Sequence, residues 1–184
     1  MQVLIVYESV FGNTHRVATA IAAGIRQASP AAAVDCVPVA QASADRVAGA
    51  DLLVVGGPTH ARGMTINRSR ADAARSPAKF ARKGAAAPAV DPAAEGPGLR
   101  TWFHGVPTAT RGARAAAFDT RLENPLAGGA ARGIARRLRG HGYAVVGKPQ
   151  GFIVDEGAGP LRAGELDRAI AWGASLLTAG VRVG

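Results

Sequence analysis

The chain has 184 residues, 48% of them hydrophobic, and 22 Lys and Arg against 13 Asp and Glu give it a formal charge of +9. That length supports one domain, 1–184, with a sizeable core, and with no long uncharged apolar run the sequence predicts a soluble protein that does not insert into a membrane. The single Cys36 excludes an intramolecular disulfide and a multi-cysteine metal centre, the lack of a basic-then-apolar leader predicts a cytoplasmic location, and the positive surface attracts anions without selecting among them.

Val3–Tyr7 is nearly continuous in apolar residues, as a parallel strand covered on both faces would be. The short loop Ser9-Val10-Phe11-Gly12-Asn13-Thr14 follows, and then a helix over Thr14–Ala28 with Val17, Ile21, Gly24 and Ile25 on one face. Val34–Val39 reads as a second strand, with Cys36 as a small buried hydrophobe and Pro38 marking a sheet edge. Leu52–Val55 is a third strand that ends in the turn-like Gly56-Gly57-Pro58. Asn67–Lys83 is read as a helix, Gly84–Gly98 as a mobile Ala/Pro/Gly-rich loop and Leu99–Phe103 as a short helix in which Trp102 packs into the core. A fourth strand runs over Ala115–Phe118, and a helix over Ala130–Leu138 turns Ile134 and Leu138 inward and its arginines outward. The last strand region spans Tyr143–Val146 and Gly151–Val154, interrupted at Gly147-Lys148-Pro149, before a final helix over Gly164–Leu177.

Alternating strands and helices predict an α/β protein with a doubly wound, mostly parallel five-stranded sheet in the order 2-1-3-4-5. Ligands of such sheets bind beyond the carboxyl ends of the strands, at the switch point between strands one and three. Three loops meet there: Glu8–Thr14, Gly57–Thr65 and Asp119–Ala130. The first builds an anion site from converging backbone N–H groups, hydroxyls and a helix N-terminus. It contains no Lys or Arg, so neutral donors must do the binding, which suits a phosphate monoester better than a triphosphate. An ordinary glycine-containing strand–helix turn is the alternative reading of that loop.

Tyr7-Glu8-Ser9-Val10-Phe11-Gly12-Asn13-Thr14 resembles the FMN phosphate loop of flavodoxins, T/S-x-T/S-G-x-T, with Phe11 departing from the usual hydroxyl residue. Pro58-Thr59-His60 and the following Gly63 resemble the isoalloxazine loop of flavodoxins and flavodoxin-like quinone reductases. Ala116–Arg121 and Gly159–Leu166 resemble an actinobacterial type of flavodoxin-domain protein. The resemblance implies a flavodoxin-like fold, FMN as cofactor and a redox function with a partner protein or a small-molecule electron acceptor. It implies that Ser9, Gly12, Asn13 and Thr14, with the N–H groups of Val10 and Phe11, hold the phosphate. Pro58, Thr59, His60 and Gly63 would line one side of the ring, and Thr120, Arg121, Gly128 and Gly129 the other. Arg62 and Arg121 would then favour the anionic reduced flavin.

Electron carrier and FMN-dependent NAD(P)H:quinone-type oxidoreductase both stay open, and no side chain is assigned a catalytic role. Neither flavin loop contains Trp or Tyr, and the chain is basic where familiar flavodoxins are acidic. These departures motivate the competing reading, a binding or scaffold protein that keeps the fold without productive flavin chemistry. A polyanion binder is a weaker third reading. With no aromatic RNA-binding motif present, the arginines at Arg132–Arg139 are read as a solvated face, not as a specific nucleic-acid reader.

Overall fold

Val3, Ile5 and Tyr7 alternate with Leu4 and Val6 along β1 (Gln2–Tyr7), and both sets are buried. A strand buried on both faces belongs at the middle of a sheet with helices on each side, and β1 lies there. The computed structural model describes residues 1–60, 63–65, 72–81, 86–110, 112–123, 129–155 and 158–180. β2 (Ala33–Pro38) pairs with β1 in parallel on one side, and β3 (Leu52–His60) does so on the other. β4 (Gly63–Met64) folds back antiparallel on the end of β3. β5 (Arg114–Leu122) extends the parallel sheet beside β3. Two further strands share the outer edge of β5: β6 (Ala144–Val145) beside Arg114 and Ala115, and β7 (Gln150–Val154) beside Phe118–Leu122. The break expected at Gly147-Lys148-Pro149 separates them. The path β2-β1-β3-β5-β6 thus keeps the predicted order, with the last strand split in two.

α1 (Asn13–Ala28) covers one face of the sheet, where Val17, Ile21 and Ile25 pack with Val3, Ile5 and Leu52. Among the described residues, α2 (Ala44–Ala48) and α3 (Leu99–Trp102) are short helices, and α4 (Ala130–Gly140) covers the opposite face. Ile134 and Leu138 of α4 join Leu99 and Trp102 over Leu4, Val6 and Leu53. Trp102 anchors this layer by donating Nε1–H to Ala42 O at 2.9 Å. α5 (Glu165–Ser175) lies against α1 at very short range. A Cβ at Gly24 would stand 1.9 Å from Ile170 O, and one at Gly173 would stand 2.4 Å from Ile21 O.

Four expectations change. The third strand does not turn at Gly56-Gly57-Pro58 but continues to His60, because Gly57 and Pro58 still pair with Asp119 and Thr120 of β5. The missing Cβ atoms at Gly56 and Gly57 make room for Phe118 and Leu99. The fourth strand likewise runs past Phe118 to Leu122, so Asp119, Thr120 and Arg121 stand on a strand and not in a loop. Within Asn67–Lys83, residues 72–75 are helical, but Ser76 leaves the helix at φ −132° and ψ 57°, as the residue before a proline tends to, and Pro77–Phe80 forms a 3-10 turn. Positions 67–71, 82 and 83 lie outside the described residues. Cys36 is half-buried.

Candidate functional site

The phosphate loop leaves β1 through Glu8, whose N–H donates to Gly56 O at 2.9 Å and so continues the sheet for one more residue. Ser9 is fully buried, and its Oγ accepts the Gly12 N–H at 3.1 Å. Gly12 has φ +84°, a left-handed conformation that glycine adopts without strain. It is the N-cap of α1 and so brings no capping side chain. Arg16 is the first residue of α1 to close an intrahelical bond, to Gly12 O. No hydrogen bond to the N–H groups of Asn13, Thr14 or His15 comes from the described residues. Three donors at the positive end of a 16-residue helix therefore have no acceptor among the described residues. The Asn13 amide is committed elsewhere, donating to Gly159 O at 2.7 Å. Val10 is buried, and its carbonyl accepts the Asp91 N–H at 2.8 Å; Phe11 is half-buried.

Residues of all three segments meet, the second and third from strand ends. Thr14 and Thr120, both buried, join their hydroxyls at 2.8 Å across the end of β3. Thr59 donates its hydroxyl proton to Asp119 Oδ2 at 3.0 Å, and its Oγ1 accepts the Ala130 N–H at 2.9 Å. Asp119 Oδ2 also accepts the Ala131 N–H at 2.9 Å. These two side chains cap α4, whose own N-cap, Gly129, brings no side-chain bond. Asp119 is fully buried, and its Oδ1 has no hydrogen-bond partner among the described residues, with Arg121 Nε at 3.6 Å. Burial raises its carboxyl above the ordinary range, against the opposing pull of the Ala131 N–H, Arg121 and Thr59. The Arg121 guanidinium lies over Gly151 and beside Gly129.

Of the residues expected to line a flat ring, Thr59, Thr120 and Arg121 thus turn toward partners within the protein. Pro58 pairs through its backbone with Thr120, and Gly63 pairs with His60 in the β3–β4 hairpin. Beside Gly63, Arg100 donates to Met64 O and Thr65 O. The His60 side chain, Arg62 and Gly128 lie outside the described residues.

The sequence reading assigned no role to Glu8, Asp91 or Asp119. Glu8 is buried at the mouth of the loop, where it accepts from the Thr65 hydroxyl and from the first N–H of α3, Leu99, at 2.8 Å. A carboxylate ending a buried strand was the available signal for both Glu8 and Asp119. Nothing local marks Asp91, whose role depends on a fold-back onto residue 10.

No family model and no curated protein matches the sequence. Solved structures do match in shape. A flavodoxin from the domain Archaea is 18% identical, with 97% of each chain covered and a TM-score of 0.64. Oxidised Flavodoxin 1 from Bacillus cereus is 15% identical over 97% of this chain and 98% of its own, with a TM-score of 0.65. Two-electron reduced Megasphaera elsdenii flavodoxin is 19% identical over 94% and 98%, with a TM-score of 0.56. The chain has a flavodoxin-like fold. Among the described residues, no helix is long and apolar enough to cross a membrane. Tested against FMN, the N–H groups at the start of α1, which have no acceptor among the described residues, and the hydroxyls of Ser9 and Thr14 are the donor types a phosphate monoester needs. The fit is carried by the start of α1 alone.

Proposed function

We propose that the chain is an FMN-binding redox protein of the cytoplasm, of the actinobacterial type its loops resemble, exchanging electrons with a partner protein or a small-molecule acceptor. The observation that carries this reading is the α1 N-terminus, where the N–H groups of Asn13, Thr14 and His15 have no acceptor among the described residues and stand beside two buried hydroxyls. These groups would hold the phosphate without a cationic side chain, by hydrogen bonds aligned with the helix dipole. The flavin supplies one- and two-electron chemistry when bound, and the protein positions it. Ser9 orients the loop through Gly12, and Thr14 ties it to Thr120 on β5. The loop is therefore organised before an anion arrives, which lowers the cost of binding.

Titration of the purified protein with FMN, followed by flavin absorbance and fluorescence, tests the reading. Saturable binding is expected. Ser9→Ala with Thr14→Val is expected to weaken it by about 2–3 kcal/mol, the scale of charge-assisted hydrogen bonds. No binding at high FMN concentration would overturn the proposal. Steady-state turnover with NADH or NADPH and a quinone then separates an oxidoreductase from a carrier, which would show stoichiometric reduction alone.

One observation favours the second reading, a binding or scaffold protein. Thr59, Asp119 and Arg121 engage one another and the start of α4. Under that reading inorganic phosphate binds at α1 while riboflavin adds nothing.

A further inference from the structure

The outer face of α4 carries charge of one sign. From residue 124 to residue 154 the sequence has no Asp or Glu, yet it holds Arg132, Arg136, Arg137, Arg139 and Lys148. Arg132, Arg136 and Arg139 are exposed and follow one another at i, i+4 and i+7, so they form a single row along the helix. At about 1.5 Å per residue the row spans about 10 Å. Ile134 and Leu138, buried on the other side, hold the helix to the sheet. Arg137 closes over the buried Phe103 ring, 5.6 Å from its centroid. The row is thus mounted on a packed support.

Other arginines at the surface are neutralised locally. Arg46 holds Asp35 at 2.9 Å, Arg162 holds Glu123 at 2.8 Å and Asp155 at 3.2 Å, and Arg168 pairs with Glu165. Among the described residues, no carboxylate and no hydrogen-bond acceptor meets the side chain of Arg132, Arg136 or Arg139. Like charges one turn apart on a helix repel, and an incoming anion relieves that repulsion.

We propose that this row docks an acidic protein. Under the redox reading above, on which only the partner's role rests, that protein is the electron donor or acceptor. α4 begins against Thr59 and Asp119, at the end of the sheet where that reading places the cofactor, and Arg132 lies in its first turn. Carboxylates along a partner helix share the i, i+4, i+7 spacing, and a guanidinium fork takes a carboxylate through two parallel bonds. A nucleic-acid duplex fits less well, since a typical duplex binder makes roughly 6–10 phosphate contacts, more than three arginines in a short row supply. A lipid surface fits less well too: the exposed large apolar side chains among the described residues are Met1, Val90 and Leu122, none of them on α4. Exposed charge pairs give speed and orientation more than affinity, which suits a transient encounter between redox proteins.

The test is a titration of the ¹⁵N-labelled full chain with an acidic [2Fe–2S] ferredoxin, and separately with a short DNA duplex, at about 0.01 M salt, where charges reach about 30 Å. The expected result is amide shifts or broadening centred on Arg132–Arg139 with the ferredoxin, and an affinity that falls as salt rises to about 0.15 M. Arg132→Gln with Arg136→Gln should weaken the complex about fivefold or more, as the loss of two charge pairs implies. Arg26→Gln with Arg46→Gln removes the same charge at exposed positions beside β2 and should change it by less than about twofold. Absence of ferredoxin binding, shifts centred elsewhere, equal losses in the two variants, or tighter binding of the duplex through the same arginines would overturn the proposal. The titration needs no flavin, so a chain that fails to bind FMN yet binds the ferredoxin at α4 overturns the redox reading alone.

Discussion

The N-termini of α1 and α4 stand at the same end of one sheet, and both have glycine as N-cap with no capping side chain of its own. Their donors meet different fates. At α4, Thr59 from β3 and Asp119 from β5 reach in to accept the N–H groups of Ala130 and Ala131. At α1, Ser9 accepts only the Gly12 N–H, and the first three helical donors meet no acceptor among the described residues. Two junctions with similar local sequence logic thus divide into a closed end and an open one. The difference lies in which side chains the neighbouring strands deliver. A glycine N-cap is no sign of an anion site until the strands on either side have been inspected.

Removing the closing carboxylate should produce the largest effect. Asp119→Ala strands the Ala131 N–H and the Thr59 hydroxyl and removes a carboxylate beside Arg121, and is expected to cost about 3 kcal/mol in urea unfolding. A loss under 1 kcal/mol would show that α4 is not closed by Asp119. Thr59→Val should cost about 1–2 kcal/mol, the scale of a lost cap, with the Ala130 amide exchanging faster.

The pH dependence of Asp119 sharpens the contrast further. Its folded carboxyl is raised, so the native state holds that proton more tightly than the unfolded chain does. Its contribution is therefore greatest at acid pH and declines as pH rises from the ordinary carboxylate range through the raised folded value. Asp119→Asn should remove that falling component, seen as the difference between the two unfolding profiles. Identical profiles would place the titration elsewhere.

The smallest effect is expected at Arg121. Sequence alone suggests that it tunes a bound flavin, but its guanidinium is paired with Asp119 and packed over Gly151. Arg121→Gln should leave the one-electron couples of the FMN-loaded protein nearly unchanged, and a large downward shift would show that the charge reaches the ring.

The open end was legible in the sequence because its signals are local. A buried strand, a Ser/Gly/Asn/Thr loop and a helical period fall within residues 3–28, and the structure places them as read. Ile134 and Leu138 faced the core as their spacing predicts. The closed end was not legible, because Thr59 and Asp119 are 60 residues apart and meet only through the pairing of β3 with β5. Gly56-Gly57-Pro58 misled for a similar reason. Glycines that mark a turn locally were here vacated space for Phe118 and Leu99, which lie far along the chain. α2 spans five residues, too few for a periodicity to emerge.

The contact of Gly24 with Ile170 and of Gly173 with Ile21 carries a consequence for motion. With backbone against backbone, α1 and α5 cannot slide or rotate past each other without losing van der Waals contact along the whole seam. They should open as one cooperative unit in native-state hydrogen exchange, with the amides around Ile21 and Ile170 sharing a single opening free energy. The donors at Asn13–His15 are then mounted on this cooperative unit, while the chain beyond β7 reaches the same loop through Asn13 and Gly159.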